Sequence, residues 1–98
     1  MDLFVSVVSF WEIAIKVRQG KLALEEPLSH LEEAVQSWGC TVLPVIASHV
    51  VAEVEPWPPT NDPFDRLLLA ICSVEGLRLV TRDRKLVDHP LAWRPGPA

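Results

Sequence analysis

Asp62-Pro63-Phe64-Asp65-Arg66-Leu67-Leu68-Leu69-Ala70 is the stretch whose reading decides the fold of this chain. The Asp62 carboxylate can accept the amides that open a helix. Pro63 behind it has φ already set and no N–H to leave unpaired. Leu67, Leu68, Ala70, Ile71 and Val74 then supply an inward face, and Gly76 stops the run. The sequence therefore predicts a capped amphipathic helix carrying a second carboxylate, Asp65, in its first turn, where the helix dipole favours negative charge.

Working outward, Leu77–Thr81 reads as a strand rich in branched residues, and Leu91-Ala92-Trp93 as a short last strand. Pro56–Asn61 is a proline-rich loop, and Ala47–Val54 is expected to form a short helix with Val50, Val51 and Val54 inward. Thr41–Val45 is a further strand, placed by Pro44 at a sheet edge or a strand end. Pro27 opens a helix in which Leu28, Leu31, Ala34, Val35 and Trp38 recur at helical spacing until Gly39. Leu3–Val8 reads as a buried strand. Ser9 caps the helix after it, with Ile13, Ile15, Val17 and Leu22 as apolar positions, Gly20 as breaker and Ser9-x-x-Glu12 as a capping box. Strands alternating with helices predict an α/β fold with a mostly parallel sheet, in a single domain over residues 1–98.

Composition agrees with a globular domain. Of 98 residues, 49% are apolar and 22% charged, a balance unlike that of disordered chains. The net charge of −4 argues against a broad cationic surface, although a local basic rim can still hold phosphates. Cys40 and Cys72 share no C-x-x-C and are expected to be free thiols in a reducing cytoplasm. The apolar run near Leu67–Val74 falls far short of the ~20 residues of a membrane span, and Met1-Asp2-Leu3 does not resemble a secretory leader. The expectation is a soluble cytoplasmic protein with no membrane contact. His30, His49 and His89 lack metal-ligand spacing and are expected at the surface. Trp11, Trp38 and Trp93 are expected in the core or covering the sheet. Trp57 is expected to anchor the proline loop, the alternative being that it stacks on a base.

Parallel α/β sheets gather their chemistry at the carboxyl ends of the strands. Glu12, Asp65 and Asp83 all follow or flank such ends in this reading. Carboxylates brought together there repel one another unless a cation shares them. Hard oxygen ligands suit Mg²⁺ or Mn²⁺, which can activate water for attack on a phosphodiester. Each residue also has a plain structural role: Glu12 in a capping box, Asp65 at a helix N-terminus, Asp83 in a turn before Lys85 and Leu86. Spacing alone does not choose between the two.

The order of the local motifs adds to this. Val5-Ser6-Val7-Val8-Ser9-Phe10-Trp11-Glu12-Ile13-Ala14-Ile15-Lys16 with Gly20-Lys21-Leu22 resembles the second strand and helix of a VapC-type PIN domain. Asp62–Ala70 resembles that family's third acidic motif, and Leu79-Val80-Thr81-Arg82-Asp83 its fourth. Together with the segments between them, these motifs cover nearly the whole chain. The resemblance implies a PIN-like three-layer fold and a metal-dependent endoribonuclease that cuts RNA with Mg²⁺ or Mn²⁺ and is silenced by a VapB-type antitoxin protein. It implies Glu12, Asp65 and Asp83 as catalytic and metal-binding residues, with Arg66, Arg82 and Lys16 as candidates for substrate phosphate contact; a solvated charge or surface pair is the alternative for those three. Asp62 matches a residue common in the motif, but capping accounts for it.

Members of that family open on a strand ending in Asp, and no such segment precedes Leu3. The fold expected here therefore lacks its first, central strand and one acidic position, either because the natural chain starts upstream of Met1 or because a shortened relative repairs its sheet some other way. Catalysis is expected to fall by orders of magnitude, and association into a homo-oligomer is expected to cover the open strand edges. The competing reading is a non-catalytic toxin remnant that binds an antitoxin through the same acidic groove. A receiver-like phosphorylation domain would need an acidic pair near its start and a lysine after a late strand, and neither is present.

Overall fold

The structure is a computed structural model that describes residues 2–56 and 60–94. The expectation for Trp57, and that of a loose tail from Arg94 to Ala98 apart from Arg94 itself, fall outside the described residues. The chain divides into two compact units, Met1–Val45 and Ile46–Ala98.

In the first unit, strand β1 (Phe4–Ser6) leads directly into helix α1 (Val7–Arg18). The expected strand to Val8 is cut short because Ser6, not Ser9, is the cap: its hydroxyl accepts the Val8 amide at 3.1 Å. Glu12 therefore lies in the body of α1 and forms no capping box. Gly20, at φ +73°, follows the end of α1, a left-handed geometry that an L side chain adopts only with strain. The helix expected from Pro27 begins instead as a 3₁₀ turn (Leu28–His30) before α2 (Leu31–Ser37). Strand β2 (Thr41–Leu43) pairs with β1 in parallel, Phe4 opposite Thr41 and Ser6 opposite Leu43, and stops before Pro44 as expected. A parallel pair needs a long crossover, which α1 and α2 provide. Val8 and Val35 are buried. Trp11 and Trp38 are exposed, as is Trp93 in the second unit, which corrects the expectation that they lie in the core or cover the sheet.

The second unit packs around α4 (Pro63–Glu75), the helix expected from Asp62-Pro63. Asp62 caps it as expected, accepting the amides of Phe64 at 2.8 Å and Asp65 at 3.4 Å, and Gly76 closes it at φ +70°. Leu69, Ala70, Ile71 and Cys72 are its buried residues; Leu67 and Leu68 are half-buried, and Val74 is exposed. Leu69 and Ala70 form a core with Val54 and Leu86, and Ala52, Leu79 and Leu91 pack against it. Helix α3 spans Ala47–Val51 and turns His49 inward, leaving Val50 and Val51 exposed where an inward face was expected, while Val54 beyond the helix is buried as expected. The strands expected at Leu77–Thr81 and Leu91–Trp93 reduce to one parallel bridge between Leu79 and Ala92. Leu79 donates to the Leu91 carbonyl and Trp93 to the Leu79 carbonyl, both at 2.8 Å.

His49 and His89 are buried, which corrects their expected surface placement. His49 Nδ1 accepts the Ile46 amide at 3.1 Å, so its proton sits on Nε2, which donates to Glu75 Oε2 at 2.6 Å. His89 repeats the arrangement: Nδ1 accepts the Leu91 amide at 3.1 Å and Nε2 donates to the Pro56 carbonyl at 2.9 Å. Both rings are structural braces. Among the described residues no helix is long and apolar enough to cross a membrane.

Candidate active site

Asp65 occupies the first turn of α4, one turn from the Asp62 cap. It is half-buried, and the Thr60 hydroxyl donates to its Oδ2 at 3.4 Å. The same hydroxyl accepts the Asp62 amide at 3.1 Å, while the Thr60 carbonyl accepts Arg66 Nε at 2.8 Å. Thr60 is itself buried. One residue thus ties the cap, the candidate carboxylate and the candidate arginine into one network. Sequence reading missed Thr60. The available signal was a hydroxyl two residues before an N-cap aspartate, a spacing that suits a side-chain-to-backbone turn.

Asp83 opens the turn after Thr81 and is exposed. Its amide donates to the Thr81 hydroxyl at 3.0 Å, and its Oδ1 accepts the Lys85 amide at 2.8 Å. Its carbonyl accepts from Leu86 at 2.9 Å and Val87 at 3.0 Å. Asp83 therefore shapes the turn as well as presenting a carboxylate. Arg82 beside it is exposed and makes no ion pair among the described residues.

Glu12 belongs to the first unit. Its Oε2 lies 3.7 Å from Lys16 Nζ across one turn of α1, with the Glu12 side chain 30% exposed. Such an i,i+4 pair contributes only ~0.3–0.5 kcal/mol, so a stronger cation would displace Lys16 at small cost. Lys16 is thus a surface pair here.

The donor chemistry suits a hard divalent cation, since all three side chains offer carboxylate oxygens. Among the described residues, however, no three His, Cys, Asp or Glu side chains are gathered to hold a metal ion. What the structure does bring together is Thr60, Asp62, Asp65 and Arg66 at the start of α4.

The PIN domain family matches residues 1–90, a span that contains all three acidic motifs. The chain belongs to the PIN domain family. This PIN domain is 37% identical over 92 residues to Ribonuclease VapC22 of Mycobacterium tuberculosis (strain ATCC 25618 / H37Rv), covering 90% of this chain and 68% of that protein. No solved structure matches it significantly. The family span crosses both compact units of this PIN domain.

Proposed function

We propose that this PIN domain is an endoribonuclease of the VapC type, hydrolysing RNA phosphodiester bonds and paired with a VapB-type antitoxin. The observation that carries the reading is the Thr60–Asp62–Asp65–Arg66 network within a chain closely related to a ribonuclease. VapC-type PIN ribonucleases are generally dependent on divalent metal, and in this reading Glu12, Asp65 and Asp83 are the ligands of Mg²⁺ or Mn²⁺. The bound ion would polarise the phosphate and lower the pKa of an attacking water.

The chain's own residues have separate tasks. Thr60 holds the Asp65 carboxylate in one orientation, and the α4 N-terminus adds partial positive charge beside it. Arg66 is fixed through Nε by the Thr60 carbonyl, which holds a guanidinium at the start of α4 as a candidate for phosphate contact. Arg82, exposed beside Asp83, supplies a second cationic contact, with Lys16 as a third once it leaves Glu12. A homo-oligomer would bring further carboxylates to the site from a second copy.

The test is cleavage of RNA by the purified chain with Mn²⁺, against EDTA and against Asp65→Asn. Metal-dependent cutting that disappears in the variant supports the reading. The second reading is a non-catalytic antitoxin-binding protein, in which a basic side chain of the antitoxin lies against Glu12, Asp65 and Asp83. Antitoxin binding with no cutting in either chain would establish it.

A further inference from the structure

A cavity of about 450 Å³ lies beside the Leu79–Ala92 bridge, lined by Arg78, Asp88, Pro90, Ala92, Trp93 and Arg94. Small-ligand sites run roughly 300–1,000 Å³, so the space accommodates one nucleotide-sized group. Its wall is pinned. The bridge bonds hold Leu79, Leu91 and Trp93, the Ala92 amide donates to the His89 carbonyl at 2.9 Å, and the buried His89 ring braces Leu91 and Pro56.

Three lining groups stand out chemically. Trp93 leaves 41% of its surface exposed although its backbone is fixed in the bridge. Arg78 gives one Nη to the Leu77 carbonyl and Arg94 one to the Val87 carbonyl, each at 3.3 Å. A guanidinium has five donors, so most of theirs are left over. Neither arginine has an ion-pair partner among the described residues, even though Asp88 lines the same cavity. Two guanidiniums against one carboxylate leave the lining net positive beside an exposed indole, a local exception on a chain of net charge −4.

We propose that this cavity is a binding subsite for one nucleotide of single-stranded RNA, with the base on Trp93 and the phosphate beside Arg78 and Arg94. Stacking on an indole and charge-assisted bonds from guanidinium are the two means by which single strands are held. An acidic peptide would use the arginines but leave the indole face idle, and Asp88 opposes its carboxylates as it opposes a phosphate. A nucleotide gives Asp88 a hydroxyl or amino donor to accept. The proposal deepens the ribonuclease reading, since a second grip on the strand would orient it for cleavage. The binding itself does not depend on cleavage.

The test is fluorescence anisotropy of a short labelled single-stranded RNA with the purified chain in EDTA, where no metal-dependent cutting occurs. The Arg78→Gln/Arg94→Gln double variant is expected to bind about tenfold more weakly. Its slope of log affinity against log salt should flatten by ~0.7 for each phosphate that is no longer neutralised. Trp93→Leu is expected to lose roughly tenfold, and Trp93→Phe to recover most of it by keeping an aromatic face. Far-UV circular dichroism establishes folding, and Arg78→Lys/Arg94→Lys, which keeps the charge, should fall between the two. No RNA binding by the unmodified chain, or unchanged binding in the folded variants, overturns the proposal. So does loss of poly-glutamate binding in the arginine variant with RNA binding intact. Cleavage with Mn²⁺, measured in parallel, separates the two claims. Cutting with unchanged variant binding removes the subsite alone; weakened variant binding without cutting keeps the subsite and removes the nuclease reading.

Discussion

The Thr60 hydroxyl and the Asp65 carboxylate stand 3.4 Å apart, the hydroxyl donating to Oδ2 while it accepts the Asp62 amide. The capping of α4 and the orientation of its candidate catalytic carboxylate therefore share one buried oxygen. A change at Thr60 acts on both.

Thr60→Val keeps the shape and removes that oxygen. It is expected to lower stability by ~1–2 kcal/mol, since a half-buried carboxylate loses a donor. RNA cleavage is expected to drop about tenfold, in line with a misplaced catalytic group, while Thr60→Ser stays close to the unmodified chain. Urea unfolding and initial cleavage rates check the pair. Normal cleavage by Thr60→Val would confine Thr60 to a structural role.

Asp62 and Asp65 should respond differently to amidation. Asparagine caps a helix as well as aspartate, so Asp62→Asn is expected to change stability by less than ~0.5 kcal/mol and leave cleavage intact. Asp62→Ala should cost ~1 kcal/mol through loss of the cap. Asp65→Asn is expected to abolish cleavage while the chain stays folded. If Asp62→Asn instead eliminated cleavage, the ligand role would move to Asp62.

His49 links α3 to the end of α4 through Glu75. His49→Ala removes a buried ring and both of its bonds, and is expected to cost ~2–4 kcal/mol. A double-mutant cycle with Glu75→Gln should give a coupling of ~0.5–2 kcal/mol, discounted because the Glu75 side chain is 34% exposed. A coupling near zero would mean that the 2.6 Å hydrogen bond adds nothing to the packing of the ring.

The two thiols should differ in reactivity. Burial pushes the Cys72 thiol up from its ordinary value, and Arg78 opposes this more weakly. Cys72 is buried and Cys40 half-buried, so a thiol reagent at neutral pH should modify Cys40 first and reach Cys72 only on unfolding. Above the unfolded thiol's value, the unfolded chain releases a proton that folded Cys72 retains. Its contribution to stability is thus present below that value and is lost as pH rises through the higher folded value. Denaturant midpoints from pH 8 to 10 should fall less in Cys72→Ala than in the unmodified chain.

Local chemistry made several elements legible in the sequence alone. Asp62-Pro63 and Gly76 bound α4 because capping and left-handed glycine are properties of single residues. Gly39 and Pro44 marked chain reversals and strand ends for the same reason, and the motif order from Glu12 to Asp83 pointed to the PIN family. Tertiary packing decided the rest. Ser6 outcompeted Ser9 as cap once β1 ended against β2, and His49 rather than Val50 turned inward because its ring could satisfy Ile46 and Glu75 together. The expected strand at Leu77–Thr81 shrank to a bridge, since ladder bonds depend on neighbouring strands as well as on propensity. Thr60 carried a local signal that was overlooked, whereas the bracing role of His89 and the Arg78–Trp93–Arg94 cavity came into view only in three dimensions. These rest on a partner far along the chain or on a space lined by several segments, and no periodicity in a sequence encodes either.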